Sequence, residues 1–550
     1  MKFTHSELLD EIKKIFNGEV NSDVKTLDTY SRDASLLEVK PELVLFPKDS
    51  EDIQKLVKFV SENKADNPSL SITARSAGTC MSGGSLSESI VLDITKHMGG
   101  IKEVTHEEAI ALPGTFYRDF EVETFKHDAI LPSYTASKNL NTVGGMVANN
   151  SAGEKTLAYG KTEEYVKEMK VIFADGNEYI TKPLNKEELD RKIAQNDYEG
   201  NIYKNLWNLI KENEDAIKHA KPDVSKNSAG YYLWNVWDGQ TFDINKLITG
   251  SQGTLGIITE IKFRLVPIKK KSKLFVIFLK NLNNLSELVN EILTTKPESL
   301  ESYDDSTMKL AFKFFPAMIK TMKVHNFFKL MFGFLPEAGM ILTGGIPKLI
   351  LLVEFSDNDE GEIDKKMYEL QRKIAHFGFK TRMSKSEEES SKYWTIRRES
   401  FNLLRQHVKG ARTAPFIDDV IVKPQYLPEF LPKMRKILDE HKLVYTIAGH
   451  AGNGNFHIIP LMNMKDPKNA AVIPIVSDKI YSLVKEYRGS IDAEHNDGII
   501  RTPYLEQMFG HEIVALFQKT KNIFDPQNIF NPGKKVGGTK EYMISHIVKS

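Results

Sequence analysis

The segment Arg75-Ser-Ala-Gly-Thr-Cys-Met-Ser-Gly-Gly84 lies between two short apolar runs, Leu70 to Ala74 and Ile90 to Ile94, that both read as strands. That order excludes two common phosphate-binding designs. A doubly wound dinucleotide turn and a Walker loop each need a helix directly after the glycines, so that its N-terminus meets phosphate. Small residues between two strands instead present successive backbone N–H groups as a nest for an anion, and a pyrophosphate suits such a nest. With Glu42 to Phe46 as a further strand and a helix starting near Ser50, the N-terminal portion reads as an α+β unit.

Two more small-residue segments follow. Asn141-Thr-Val-Gly-Gly-Met-Val-Ala-Asn-Asn-Ser-Ala-Gly153 precedes Tyr159-Gly160 and a strand-turn-strand pattern from Glu168 to Thr181. Gly250-Ser-Gln-Gly-Thr-Leu-Gly-Ile257 leads into another apolar strand. Glycine permits close backbone approach to a flat ligand. Any one such cluster is more often an ordinary turn; three in one chain point to a ligand. From about 271 to 480 the texture changes to strands such as Leu274 to Leu279 and Leu349 to Phe355 between amphipathic helices, a second α+β unit.

Composition narrows the function classes. Length 550 suggests about two to four domains, and 74 basic against 74 acidic residues give no field that favours nucleic acid. Cys80 is the one cysteine, which excludes intrachain disulfides and a cysteine-ligated iron-sulfur cluster in this chain. The N-terminus opens with a Thr4 to Glu7 capping-box pattern instead of a secretion segment, so a cytoplasmic protein is expected. The most hydrophobic region, around 327 to 354, is broken by glycine, proline and Glu337 and does not read as a spanning helix. Residues 308–335 contain lysines interleaved with Phe312, Phe314, Phe315, Phe327 and Phe328 and no acidic residue. Peripheral contact with an anionic membrane face is one reading; a helical hairpin or lid with solvated lysines is the favoured one.

His450-Ala-Gly-Asn-Gly-Asn-Phe-His457 places two histidines around a glycine turn, between apolar runs that read as the strands of a hairpin, and Glu494-His495 follows. Two imidazoles and a carboxylate suit zinc and leave coordination positions open for substrate. Taken alone, the pattern is equally compatible with a glycine turn carrying two incidental histidines.

Read together, these motifs resemble the FAD-linked 2-hydroxy-acid dehydrogenases of the vanillyl-alcohol-oxidase flavoprotein superfamily, which include glycolate oxidase subunits, D-lactate dehydrogenases and D-2-hydroxyglutarate dehydrogenases. The resemblance runs from Pro41 through Gly533. It implies an α+β fold: an FAD-binding domain of two subdomains over 1–270, a ferredoxin-like substrate domain over 271–480, and a C-terminal segment, 481–550, returning to the flavin. It further implies FAD contacts from Arg75, Ser76, Ala77, Gly78, Thr79, Cys80, Ser82, Gly83 and Gly84 around the pyrophosphate. Pro132, Ser137, Thr142, Gly144, Gly145, Ala148, Asn149, Ser151 and Gly153 would line the rest of the cofactor, with Tyr159, Gly160, Gly253, Thr254, Gly256 and Ile257. Ser76 and Cys80 stand where the first loop usually has glycines. A counterpart of the histidine that tethers flavin in some relatives is lacking, which implies non-covalent FAD.

By the same resemblance His450, His457 and Glu494 would hold a divalent metal such as zinc, with His495 as the base. Ala493 and Asn496 replace glycines usual in the Gly-Glu-His-Gly motif. The wider Glu-His-Asn-Asp-Gly form is similar to that of large flavin dehydrogenases often fused to iron-sulfur modules, a fusion absent from this sequence. Trp394-Thr-Ile-Arg397-Arg398 resembles the family's arginine-bearing helix, so Arg397 would pair with a substrate carboxylate, although a surface charge is the commoner fate of one arginine. Phe401 and Ile417 stand where hydroxyglutarate enzymes grip a second carboxylate. The activity implied is oxidation of a small D-2-hydroxy acid to its 2-oxo acid, with electrons passing to a quinone, an electron-transfer flavoprotein, a separate iron-sulfur subunit or oxygen. The alternatives are a non-redox transferase resembling alkyl-dihydroxyacetone-phosphate synthases, a metallohydrolase without flavin, and a flavin-binding subunit without turnover.

Overall fold

The computed structural model describes residues 2–313, 345–384, 386, 389–398 and 410–549. Of the basic aromatic stretch 308–335, everything from 314 onward lies outside the described residues, as does Phe401.

Three larger sheets organise the described residues. The first has the order Glu19–Asn21, Leu43–Phe46, Ile90–Asp93, Ile72–Arg75, with the last three parallel. Helix Ser50–Asn63 starts at Asp49, whose side chain accepts from the Asp52 N–H. Its Ile53, Leu56, Val57 and Val60, at helical spacing, are fully buried in the cluster that includes Leu45, Ile72 and Leu92. The loop from Arg75 to Gly84 thus leaves the end of one strand and returns to the parallel strand beside it.

The second sheet is antiparallel, in the order Ile101–Val104, Glu108–Ala111, Ile257–Arg264, Val166–Ile172, Glu178–Thr181. Ile257, Thr259, Ile261 and Phe263 alternate inward along its central strand. The segment Asn141 to Gly153, which reads from sequence only as a glycine-rich region, contains the helix Val143–Asn149 with Thr142 accepting from the Gly145 N–H. Two glycines disfavour a helix by about 1 kcal/mol each, but Gly144 packs on Pro113, where a Cβ would come within 2.5 Å of the proline side chain. Close packing overrides propensity there.

The third sheet, eight-stranded and antiparallel, is ordered Lys380–Met383, Lys271–Leu279, Leu349–Asp357, Ser299–Asp304, Val444–His450, Asn455–Met462, Arg412–Thr413, with Val420–Ile421 also paired to Asn455–Met462. Its first four strands, with helices Leu285–Thr294 and Glu360–Ile374, follow the β-α-β-β-α-β path of the ferredoxin-like motif. Those helices cover one face with Leu288, Ile292, Ile363 and Met367 against Phe275, Ile277 and Leu351. On the other face Leu274, Val276, Leu352 and Tyr303 pack with Tyr393, Trp394 and Ile396.

The chain then returns to the first sheet. Ile72 N–H donates to Ile529 C=O and Asn531 N–H donates to Ile72 C=O. A buried ammonium closes this return: Lys521 Nζ donates to Thr254 C=O and Phe530 C=O, both at 2.7 Å, and to Asp525 Oδ2 at 2.5 Å. Lys521→Met would leave Asp525 buried without its cation, a class of change that costs about 3–5 kcal/mol. The expected result is a lower urea midpoint with the weakened region at the chain return, checked by unfolding and by hydrogen exchange at Ile529 and Phe530.

Candidate active site

The two histidines sit on the hairpin expected from the sequence. Strands Val444–His450 and Asn455–Met462 pair with His450 opposite Asn455 and His457 opposite Ala448. Gly454 has φ +75°, and a Cβ there would lie 1.8 Å from Val422 C=O. Only glycine closes this turn without moving backbone. His450 Nε2 and His457 Nε2 consequently face each other at 3.3 Å.

Glu494 and His495 come from a turn held by Asp419. One oxygen of that buried carboxylate accepts the N–H groups of Ala493, Glu494 and His495 at 3.0, 2.6 and 2.8 Å. Asn496, where the related motif has glycine, adopts φ +68°, a region asparagine tolerates. Its amide donates to Asn149 C=O and Gly250 C=O, tying the turn to two glycine segments. Glu494 Oε1 then lies 3.0 Å from His450 Nε2 and 2.5 Å from the buried Lys226 Nζ.

Behind the imidazoles stand two further carboxylates. Glu301 Oε1 lies 2.6 Å from His450 Nδ1, while its Oε2 accepts from Arg397, 3.0 Å from Nη2 and 3.2 Å from Nε. Asp418 Oδ1 lies 3.2 Å from His457 Nδ1; its Oδ2 is 2.8 Å from His495 Nδ1, off the line of a hydrogen bond. The His457 and His495 rings stack at 5.1 Å.

Charge governs ionisation here. Burial opposes the charged form of Glu494, but His450 and Lys226 outweigh it and hold the carboxyl well below its usual range. Burial likewise disfavours ionised Asp418, and His495 and His457 reverse the sign. Burial lowers the pKa of His495, while Asp419 and Asp418 raise it to about 10.

The donor set fits a divalent metal. With carboxylates facing both Nδ1 atoms, the protons belong on Nδ1 and the Nε2 lone pairs converge. The two Nε2 atoms, 3.3 Å apart, are close enough to share a proton, and His450, His457 and Glu494 offer ligand atoms all within 4.8 Å of one another, a set able to hold a metal ion in its place.

These groups line one end of a cavity of about 1640 Å³. Single small-molecule sites occupy about 300–1,000 Å³, so this one has room for a dinucleotide and a substrate. Of the residues implied as flavin contacts, Arg75, Ser76, Ala77, Gly78, Thr79, Cys80 and Gly84 line it, as do Ser137, Thr142, Gly144, Gly145, Ala148, Asn149, Ser151 and Gly153, and Gly253, Gly256 and Ile257. The Arg75 guanidinium is directed to Tyr30 C=O and Arg32 C=O, bracing the wall. Ser82, Gly83, Pro132, Tyr159, Gly160 and Thr254 are not among the lining residues. Ser82 C=O accepts the Ile499 N–H, Gly83 packs on Leu37 and Thr254 bonds Tyr231, so these three support the wall from behind.

Sequence reasoning missed Glu301, Asp418, Asp419 and Lys226. The adjacent Asp418-Asp419 pair within an apolar run, Pro415 to Val422, was an available signal. Glu301 gave none, because an acid within a short strand reads as a solvated face.

Two domain families match in tandem: the FAD binding domain over residues 41–181 and the C-terminal domain of FAD linked oxidases over residues 268–535. The chain is 28% identical over 96% of its length to a D-2-hydroxyglutarate dehydrogenase of Pseudomonas putida, and spans about half (52%) of that relative. It is 24% identical to glycolate oxidase subunit GlcD of Bacillus subtilis, covering 92% of this chain and 91% of that one. In structure it superposes on 4-ethylphenol oxidase from Gulosibacter chungangensis with TM-score 0.68 at 16% identity, over 98% of each chain. The two matches together place the chain among the FAD linked oxidases, with the α+β flavoprotein fold of the vanillyl-alcohol-oxidase type.

Gly454→Ala puts a side chain into Val422 C=O and strains a left-handed residue, at about 1–3 kcal/mol for the strain alone. The variant is expected to keep its fold but bind zinc more weakly, because the displaced turn carries His450 with it; equilibrium zinc competition against a chromogenic chelator checks this.

Proposed function

We propose that this protein oxidises a D-2-hydroxy acid, of the D-lactate, glycolate or D-2-hydroxyglutarate kind, to the 2-oxo acid, using non-covalent FAD and a divalent metal, zinc by its donor set. The observation that carries this reading is convergence: His450, His457, Glu494, His495 and Arg397 line the same cavity as the three glycine segments. The names of the relatives support the substrate class.

FAD, when bound, supplies a hydride acceptor at N5, and a divalent metal held by His450, His457 and Glu494 supplies Lewis-acid polarisation of the hydroxyl and carboxylate. Arg397 anchors the substrate carboxylate, its plane fixed by Glu301 on the Nε and Nη2 edge. His495 takes the hydroxyl proton at Nε2, its Nδ1 side being turned to Asp418. The Cα–H bond breaks with its electron pair leaving as hydride, the O–H proton goes to His495, and the C–O bond becomes C=O. Positive charge among the three metal ligands acts against the rise that Asp419 and Asp418 impose on His495, favouring the neutral imidazole a base requires. Reoxidation falls to a quinone, an electron-transfer flavoprotein or a separate iron-sulfur subunit.

Anaerobic mixing of the FAD-loaded protein with glycolate, D-lactate, L-lactate and D-2-hydroxyglutarate, zinc present, should bleach the flavin with at least one acid of non-L configuration. Chelation should abolish bleaching and zinc restore it, and His495→Asn should slow it by about 100- to 10,000-fold. Flavin that stays oxidised across the panel would overturn the reading and leave a non-redox transferase or a non-catalytic flavin subunit.

A further inference from the structure

Each metal-ligand histidine shares its carboxylate with a side chain that handles substrate. Glu301 gives one oxygen to His450 Nδ1 at 2.6 Å and the other to Arg397 at 3.0 Å. Asp418 also faces two partners, one oxygen 3.2 Å from His457 Nδ1 and the other paired by charge with His495, 2.8 Å from its Nδ1 but off the line of a hydrogen bond. Both carboxylates are buried, at 1% and 0% exposure. They stand on different elements, Glu301 on the strand Ser299–Asp304 and Asp418 on the segment before Val420–Ile421.

A carboxylate is a rigid plane with two acceptor atoms, so rotation that changes one contact changes the other. We propose that Glu301 and Asp418 are positioning residues, each linking one metal ligand to one substrate-handling group: Glu301 joins His450 to Arg397, and Asp418 joins His457 to His495. Filling the metal point then orders the carboxylate anchor and the base together. This coupling rests on the dehydrogenase reading above for the roles of Arg397 and His495, but not for its histidine half.

An amide cannot do this work. It offers one acceptor oxygen, and its N–H groups would face either an imidazole or guanidinium donor, or a histidine forced into the other tautomer with its proton on Nε2, where the metal binds. Glu301→Gln and Asp418→Asn therefore break one link apiece without changing side-chain size. Both should weaken zinc by about 10–100-fold, the usual cost of removing a partner behind a ligand histidine, measured on substrate-free protein by chelator competition.

The kinetic signatures should differ between the two. In anaerobic stopped-flow reduction at saturating zinc, Glu301→Gln should raise the half-saturating substrate concentration about tenfold or more with a smaller change in limiting rate, because Arg397 loosens. Asp418→Asn should lower the limiting rate about tenfold or more with half-saturation little changed, because His495 loosens. A merely structural role would move both parameters alike, or cost flavin content, in both variants; that result, or wild-type zinc affinity in both, overturns the proposal. Should one variant fail to retain flavin, the other decides alone. If the wild type itself is bleached by no hydroxy acid, the dehydrogenase reading falls separately, and zinc affinity still decides the histidine half.

Discussion

The site depends on one buried carboxylate, that of Asp419. Its Oδ2 gathers three successive N–H groups of the turn that carries Glu494 and His495, while its Oδ1 accepts from Asn455 at the start of the second hairpin strand. One side chain thereby sets the distance between a β-hairpin and a turn some forty residues further along. Asp419 itself sits at φ +70°, a conformation an aspartate accepts at modest cost because its short polar side chain finds local donors. Loss of this acceptor would leave the Glu494 and His495 N–H groups without it, each a penalty of about 1–3 kcal/mol, while Ala493 N–H keeps the Asp419 C=O at 3.0 Å.

So many acids in one place demand counter-charge. Asp418, Asp419, Asp492, Glu494 and Asp497 are all buried, and the cations meeting them come from elsewhere in the chain. Lys226 reaches Glu494, Lys535 reaches Asp497 at 2.9 Å, and Arg501 donates to Asp418 C=O and Asn496 C=O. Compensation is incomplete at Asp492, where burial, with Asp419 and Asp497 nearby and Arg501 opposing, pushes the carboxyl up to about 8. A buried acid near neutrality favours the protonated form.

How legible was this in the sequence? Periodicity placed the elements well, because each is a regular structure with one buried face: Ser50–Asn63, Leu349–Asp357 and the hairpin strands fall within a few residues of their apolar runs. Thr4 and Glu7 form the expected capping box. The helix Val143–Asn149 was invisible, since its glycines are there for contact with Pro113, a relation no local pattern records. The same holds in the site. Histidines and glycines carry local signatures, whereas Glu301 and Lys226 owe their roles to neighbours 149 and 268 residues away in sequence. Arg397 shows the intermediate case: its helix was recognisable by resemblance, but its partner Glu301 was not.

What joins the glycine segments to the histidines is direct hydrogen bonding around one peptide. His495 C=O accepts from Ser82 Oγ and from Asn149 Nδ2, both at 3.3 Å, so the first and second glycine segments grip the residue assigned as base. Gln252, in the third segment, accepts the Gly498 N–H and donates to Asn149 Oδ1. Displacement of any one segment must therefore move His495 relative to the flavin-side wall. Reaction between two bound partners is sensitive to shifts of about 1 Å, and a base mounted on a free loop would sample that range. Here its backbone is fixed by the same loops that would seat the cofactor. Small residues serve both ends of this arrangement, since a side chain at Gly145 would strike Ser76 and one at Gly84 would strike Gln252.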